Sequence, residues 1–143
     1  QFHHLPPSGE ILVPVQESCE LPVISVKVNG RVRRMYFDTG APISYLLPDA
    51  LAGVEPEGRH EDFYPLLGNF LTPVYNLPIE LGGHQRRFRF GQVPEELRGM
   101  LAAGDVQGMI GTELLRHFGM SLSLRDRVMR LESPHNMVGL AAG

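Results

Sequence analysis

Tight-turn dipeptides set between short alternating strands limit the folds open to this chain more than any other feature. Leu21 to Val28 alternates, with Ile24, Val26 and Val28 on one face and Val23, Ser25 and Lys27 on the other. Asn29-Gly30 follows at once, and Arg31 to Phe37 reads as the return strand. An Asn-Gly pair between such runs signals a hairpin, because its turn needs positive φ at both central residues. Gly68-Asn69 predicts a second reversal, between strands at Arg59 to Leu67 and Phe70 to Leu81. Gly82-Gly83 predicts a third, with His84 to Val93 returning. Strands joined this closely leave no room for the crossover helices of a parallel sheet.

The remaining elements are short. Ile11 to Gln16 reads as a strand, placed at an edge by Pro14, which cannot donate to a ladder. Ile43 to Leu47 resumes strand character, and Pro48 to Ala52 suits one helical turn. Pro94 to Ala103 has helix chemistry, with Pro at the start and Glu95-Glu96 near the positive end of the dipole. Thr112 to Phe118 reads as a short helix ended by Gly119, and Met120 to Leu124 and Val128 to Leu131 as two final strands. Six or more short strands with regular turns and one or two short helices describe a closed or rolled all-β fold. Residues 1–10 read as a flexible lead-in, 11–132 as one domain and 133–143 as a flexible tail. The chain begins at Gln1 rather than Met, which we read as the mark of an excised domain.

Composition excludes several function classes. A formal charge of −3 offers no basic face for nucleic acid, and Arg86, Arg87 and Arg89 read as solvated strand side chains. No apolar run approaches the ~20 residues that a membrane-spanning helix needs, so no membrane contact is expected from this stretch. The one cysteine, Cys19, cannot form a disulfide within the chain and reads as a small core residue. The six histidines lack metal-ligand spacing, so no metal and no cofactor is expected. Ser44 sits in no Gly-x-Ser-x-Gly elbow. Nothing in the residues assigns a compartment.

Asp38-Thr39-Gly40 is the chemical focus. Alone it fits a tight turn in which Asp caps a backbone N–H and Gly takes positive φ. Its context is richer. It follows the apolar strand end Met35-Tyr36-Phe37, and Ala41, Ser44 and Leu46 come after it. Phe-Asp-Thr-Gly-Ala-x-x-Ser-x-Leu resembles the active-site loop of retropepsins and related aspartic proteases with a single motif. Gly68-Asn69-Phe70, with Leu77 to His84 beyond it, resembles the flap hairpin and the strand after it. Gly108-Met109-Ile110-Gly111 with Glu113-Leu114-Leu115 resembles the family's apolar-apolar-Gly segment and short helix. The order agrees from about Ile11 to Leu131. Pro42 after Ala41, Thr112 where many retropepsins carry a charged or amide-bearing residue, and the long segment 94–107 depart from the pattern. They point to a cellular or bacterial relative rather than a viral enzyme.

The resemblance implies an all-β retropepsin-like barrel or roll, half of a pepsin-type fold, with a flap hairpin. It implies an aspartic endopeptidase in which Asp38 is the catalytic carboxylate and Thr39, Gly40 and Ala41 support its loop. Leu67, Gly68, Asn69 and Phe70 would belong to the flap that closes over a peptide or protein substrate. Ile110 and Gly111 would lie along the cleft, and Tyr36, Ile43, Phe70 and Val74 are further candidates to line it. Such chemistry needs two close carboxylates, which share one proton and activate a water. Of Asp38, Asp49, Asp62, Asp105 and Asp126, only Asp38 precedes Thr-Gly or Ser-Gly. The second would come from an identical chain across a two-fold axis. The strands near Ile11 to Gln16 and Val128 to Leu131 are candidates for pairing between the chains. The competing expectation is a catalytically silent domain of this fold that binds peptides or mediates self-association.

Overall fold

A computed structural model describes residues 10–18, 21–38, 40–65, 67–123, 125 and 127–132. Thr39, Cys19, the lead-in before Glu10 and the tail from Ser133 lie outside these residues. Eleven strands and two short α-helices are described: β1 Glu10–Pro14, β2 Gln16–Ser18, β3 Leu21–Val28, β4 Arg31–Phe37, β5 Ser44–Leu46, β6 Gly58–Tyr64, β7 Gly68–Leu81, β8 His84–Gln92, α1 Arg98–Ala103, β9 Gly108–Ile110, α2 Glu113–His117, β10 Gly119–Ser123 and β11 Val128–Glu132. Single 3-10 turns precede β6 (Pro48–Leu51) and α1 (Glu95–Leu97).

The turn chemistry acts as expected at two of the three hairpins. Asn29 and Gly30 take φ of 49° and 86°, and they join β3 to β4 with Val28 opposite Arg31. Gly82-Gly83 likewise joins β7 to β8, with Leu81 opposite His84. The middle hairpin reverses earlier than its dipeptide suggests. Gly68 and Asn69 already belong to β7 and pair with Tyr64 and Phe63, so the reversal falls between Tyr64 and Gly68. Pro65 and a bond from Leu67 N to the Tyr64 carbonyl (2.9 Å) make this turn. Gly68 supplies positive φ (76°) as β7 begins.

Eight strands form one sheet in the order β2-β3-β4-β9-β5-β8-β7-β6. The sheet rolls back on itself, because β3 also pairs with β7 at Lys27↔Glu80 and Val28↔Ile79. Its seam is thus two residue pairs long. Alternation along the strands supplies two apolar cores, one on each face. Ile24, Val26, Met35, Phe37, Leu46, Phe88, Phe90, Ile110 and Phe118 share the larger. Val23, Tyr36, Ala41, Ile43, Tyr45, Val93, Leu101 and Met109 share the smaller. Neighbours in sequence therefore separate: Tyr36 from Phe37, Tyr45 from Leu46, and Met109 from Ile110.

A second sheet has the order β1-β11-β10. Ile11 lies opposite Leu131 and Val13 opposite Met129. The two segments expected to pair between chains thus pair with each other inside one chain, with β1 and β10 as edges. Pro14 is on the edge strand its chemistry demands. Among the described residues, no helix is long and apolar enough to cross a membrane.

Candidate active site

Asp38 stands where β4 ends. β4 runs parallel to β9, with Phe37 opposite Ile110, and Asp38 N donates to the Ile110 carbonyl at 2.8 Å. Gly40 N donates to Asp38 Oδ1 at 2.9 Å, so the carboxylate caps its own turn. A Cβ on Gly40 would lie 3.3 Å from that oxygen, so glycine keeps room beside it. The positive φ expected there for a plain Asp-capped turn is not observed.

The loop is fastened to the segment after β9. The Ala41 carbonyl accepts from Thr112 N (2.8 Å) and from Thr112 Oγ1 (3.2 Å). Gly111 N donates to the fully buried Ser44 Oγ at 3.0 Å. A Cβ on Gly111 would lie 2.5 Å from the carbonyl oxygens of both Ala41 and Ile43. Only glycine lets the chain pass this close. Ser44 and Thr112 are therefore braces. The buried carboxylate of Glu113 extends the bracing. It accepts from Arg89 N at 2.9 Å, and Arg89 Nε and an Arg116 guanidinium nitrogen each lie 3.9 Å away.

Asp38 also borders a cavity of about 310 Å3, lined by Leu21, Tyr36, Asp38, Tyr64, Pro65, Leu97, Met100 and Met109. That is the lower end of the size usual for ligand clefts. Leu97 and Met100 come from the segment 94–107, which sequence reading marks as unusually long. The Tyr36 hydroxyl reaches the Met100 carbonyl at 3.5 Å, and Arg34 fixes the far end of the segment through Asp105 O and Gln107 Oε1, each at 2.8 Å. A larger recess of about 550 Å3 at the base of the β6–β7 hairpin does not touch Asp38.

Tyr64 and Pro65, at the tip of the β6–β7 hairpin, form part of the cavity wall. Tyr64 donates its hydroxyl to Asp38 Oδ2 at 3.2 Å. Tyr45 of β5 donates to Asp62 Oδ2, while Phe63 N donates to Asp62 Oδ1 at 2.7 Å. Burial, with the Asp38 charge and hydrogen bond next, pushes the Tyr64 hydroxyl well above its usual pKa. Burial, then the bond to Asp62, does the same to Tyr45. Both stay protonated donors at any physiological pH.

The structure thus gathers Asp38, Gly40 and Ala41 into one loop. Leu67 and Phe70 lie half-buried beside it, packed against the smaller core. Gly68 and Asn69 are in a strand rather than at the tip. Ile110 is fully buried in the larger core and Gly111 is buried too; they meet Asp38 and Ser44 through backbone atoms. Of the further cleft candidates, Tyr36 lines the cavity, whereas Ile43 and Val74 are core residues. Sequence reading does not single out Tyr64, Tyr45 or Asp62, because no local pattern signals a contact between strands this far apart. Among the described residues, no cluster of three His, Cys, Asp or Glu could hold a metal ion.

No family model matches the chain, and no curated protein matches it in sequence. Solved structures do match in shape. A retropepsin-like aspartic protease from Rickettsia conorii superposes with a TM-score of 0.59 at 16% identity, over 87% of this chain and 91% of that one. The EIAV protease superposes with a TM-score of 0.51 at 19% identity, over 71% of this chain and 92% of that one. At such identities the likeness is one of fold. The fold is retropepsin-like, and its structural neighbours are aspartic proteases.

Proposed function

We propose that the chain is an aspartic endopeptidase whose site is completed by a second copy, with Asp38 as the catalytic carboxylate. The observation that carries this reading is the placement of Asp38. It follows the buried end of β4, is only half-buried itself, and borders an apolar cavity that the tip of the β6–β7 hairpin helps to line, in a fold shared with aspartic proteases. Gly40 and Ala41, with Thr39, would support the loop. Leu67, Gly68, Asn69 and Phe70 would belong to a flap that excludes water from a bound peptide.

Like charges held close disfavour double ionisation, so a facing pair of Asp38 carboxylates shares one proton. The ionised member takes a proton from a water, which attacks the peptide carbonyl carbon. The protonated member donates to the carbonyl oxygen. The tetrahedral intermediate then breaks its C–N bond, and the amine leaves with a proton from the pair. The pair titrates as a unit, so neither member keeps a fixed role. The working unit is residues 11–132. Within it β1 and β10 are the outer strands of the three-stranded sheet, and they, rather than β11, would meet a second copy.

One observation favours the silent-domain reading. The carboxylate already has two donors within a single chain, Gly40 N and the Tyr64 hydroxyl. Digestion of a denatured protein mixture from acidic to neutral pH, by wild type and Asp38→Asn, separates the two. We expect cleavage by the wild type alone, with the variant still folded. Equal cleavage by both would remove Asp38 from the chemistry. Sedimentation at the same concentrations should show a dimer, and an active monomer would remove the second copy.

A further inference from the structure

The hairpin is tied to the body of the chain in both directions. Tyr64, on β6, donates inward to Asp38 Oδ2. Tyr45, in the body, donates outward to Asp62 Oδ2 on β6. Asp62 and Tyr64 are two residues apart on a strand, so they project from the same face. The rings between them are packed. Tyr45 meets Tyr64 edge-on at 6.3 Å, and Phe70 of β7 stacks on Tyr64 at 5.8 Å and 16°. The outward face of the same hairpin holds Phe63 and Leu71, both mostly exposed. Among the described residues, the side-chain bonds from the hairpin to Asp38 and Tyr45 thus come from its inner face.

Tyr64 also lines the cavity that borders Asp38. Its hydroxyl occupies the Oδ2 side of the carboxylate, while Gly40 N occupies Oδ1. A carboxylate engaged on both oxygens has less capacity left for a water or a twin carboxylate. Both hydroxyl bonds, Tyr64 to Asp38 and Tyr45 to Asp62, run to carboxylates beside packed aromatic rings.

We propose that this closed hairpin is a self-occluded resting state. Tyr64 acts as a positioning residue that holds Asp38 Oδ2, Tyr45 and Asp62 form the reciprocal half of the clasp, and an incoming peptide must displace the Tyr64 hydroxyl to reach the carboxylate. The clasp itself stands on geometry. Its kinetic consequence rests on the proteolytic reading above.

Tyr64→Phe tests it by keeping the ring and its stack on Phe70 while deleting the donor. Amide hydrogen exchange of the intact chain should rise about five- to tenfold across residues 58–70, as loss of one hydrogen bond would allow. β3, β4 and β8 should keep their protection. Tyr45→Phe should raise exchange over the same residues. In peptide cleavage, Tyr64→Phe should raise kcat/KM through a lower KM with kcat maintained. Unchanged exchange at 58–70 in both variants would overturn the clasp. Faster exchange with a fall in kcat would overturn occlusion and make Tyr64 an aid to catalysis. Faster exchange with no cleavage by wild type or variant would support the clasp and sink the proteolytic reading instead.

Discussion

Asp38 and Ile110 are joined main chain to main chain, the Asp38 N–H donating to the Ile110 carbonyl at 2.8 Å. The bond continues the parallel pairing of β4 and β9 by one step beyond the strand. It sets the height of the carboxylate above the core, and everything that positions β9 therefore positions Asp38. Gly111, Ser44 and Thr112 all act at this junction, so they are where the site can be disturbed without touching the carboxylate.

Gly111→Ala should damage the site with a single methyl. Its Cβ would stand 2.5 Å from two carbonyl oxygens, Ala41 O and Ile43 O, and backbone must move to admit it. We expect a loss of about 1–3 kcal/mol, typical of overpacking a tight interior. Urea unfolding measures it. A midpoint equal to wild type would show that the junction is more yielding than its geometry indicates.

Ser44→Ala and Thr112→Val should differ. Removing the Ser44 hydroxyl leaves the buried Gly111 N–H without its acceptor, at a cost of about 1–3 kcal/mol. Removing the Thr112 hydroxyl leaves the Ala41 carbonyl still bonded to Thr112 N, so about 0.5–1.5 kcal/mol is expected. Denaturant melts of the two variants side by side decide the order, and the reverse order would contradict this account of the brace.

Glu113 should respond to shape more than to charge. Gln at this position can still accept from Arg89 N, whereas Ala leaves that N–H unpaired beneath α2. Glu113→Ala should cost about 1–3 kcal/mol and Glu113→Gln clearly less. Equal losses on thermal unfolding would mean that the Arg89 and Arg116 ion pairs, both at 3.9 Å, dominate instead.

Stability should bend at both ends of the pH scale. Folding holds the Tyr45 and Tyr64 hydroxyls above their ordinary pKa of 10.0, chiefly through burial. Above pH 10 the unfolded chain releases protons that the folded chain keeps, so this stabilisation is full below pH 10 and is lost as the pH rises past it. His117, stacked on Phe88 at 5.0 Å, is shifted the other way, below 6.5, mainly by burial. Its contribution is present above pH 6.5 and declines as the pH falls below it. Melting temperature against pH should show both declines. Tyr64→Phe should soften the alkaline one and His117→Phe the acid one, and an unchanged profile in either variant would dismiss that residue.

Much of the architecture was legible because it is written in local chemistry. Asn29-Gly30 and Gly82-Gly83 demand positive φ and so mark their turns. Pro14 demands an edge, and the alternation of β3 sorts Ile24 from Val23. The Asp38 loop is legible for the same reason, since its motif, strand end and following Ser44 are contiguous. Gly68-Asn69 misled by position, because Pro65 turns the chain first and the glycine's positive φ is taken up at the opening of β7. The pairing of β1 with β11 inside one chain joins segments at opposite ends of the domain, and no local pattern in the sequence signals it.

What the residues alone determined was a list of short strands, their turns and one carboxylate in a recognisable loop. What only the tertiary structure decided was the company that carboxylate keeps: Ile110 O beneath it, the Thr112 brace on its loop, and Tyr64 over it. The physical reason is reach. Turns and strand faces follow from neighbours along the chain, whereas hydrogen bonds across a rolled sheet join residues whose separation in sequence carries no signal until the strands have packed.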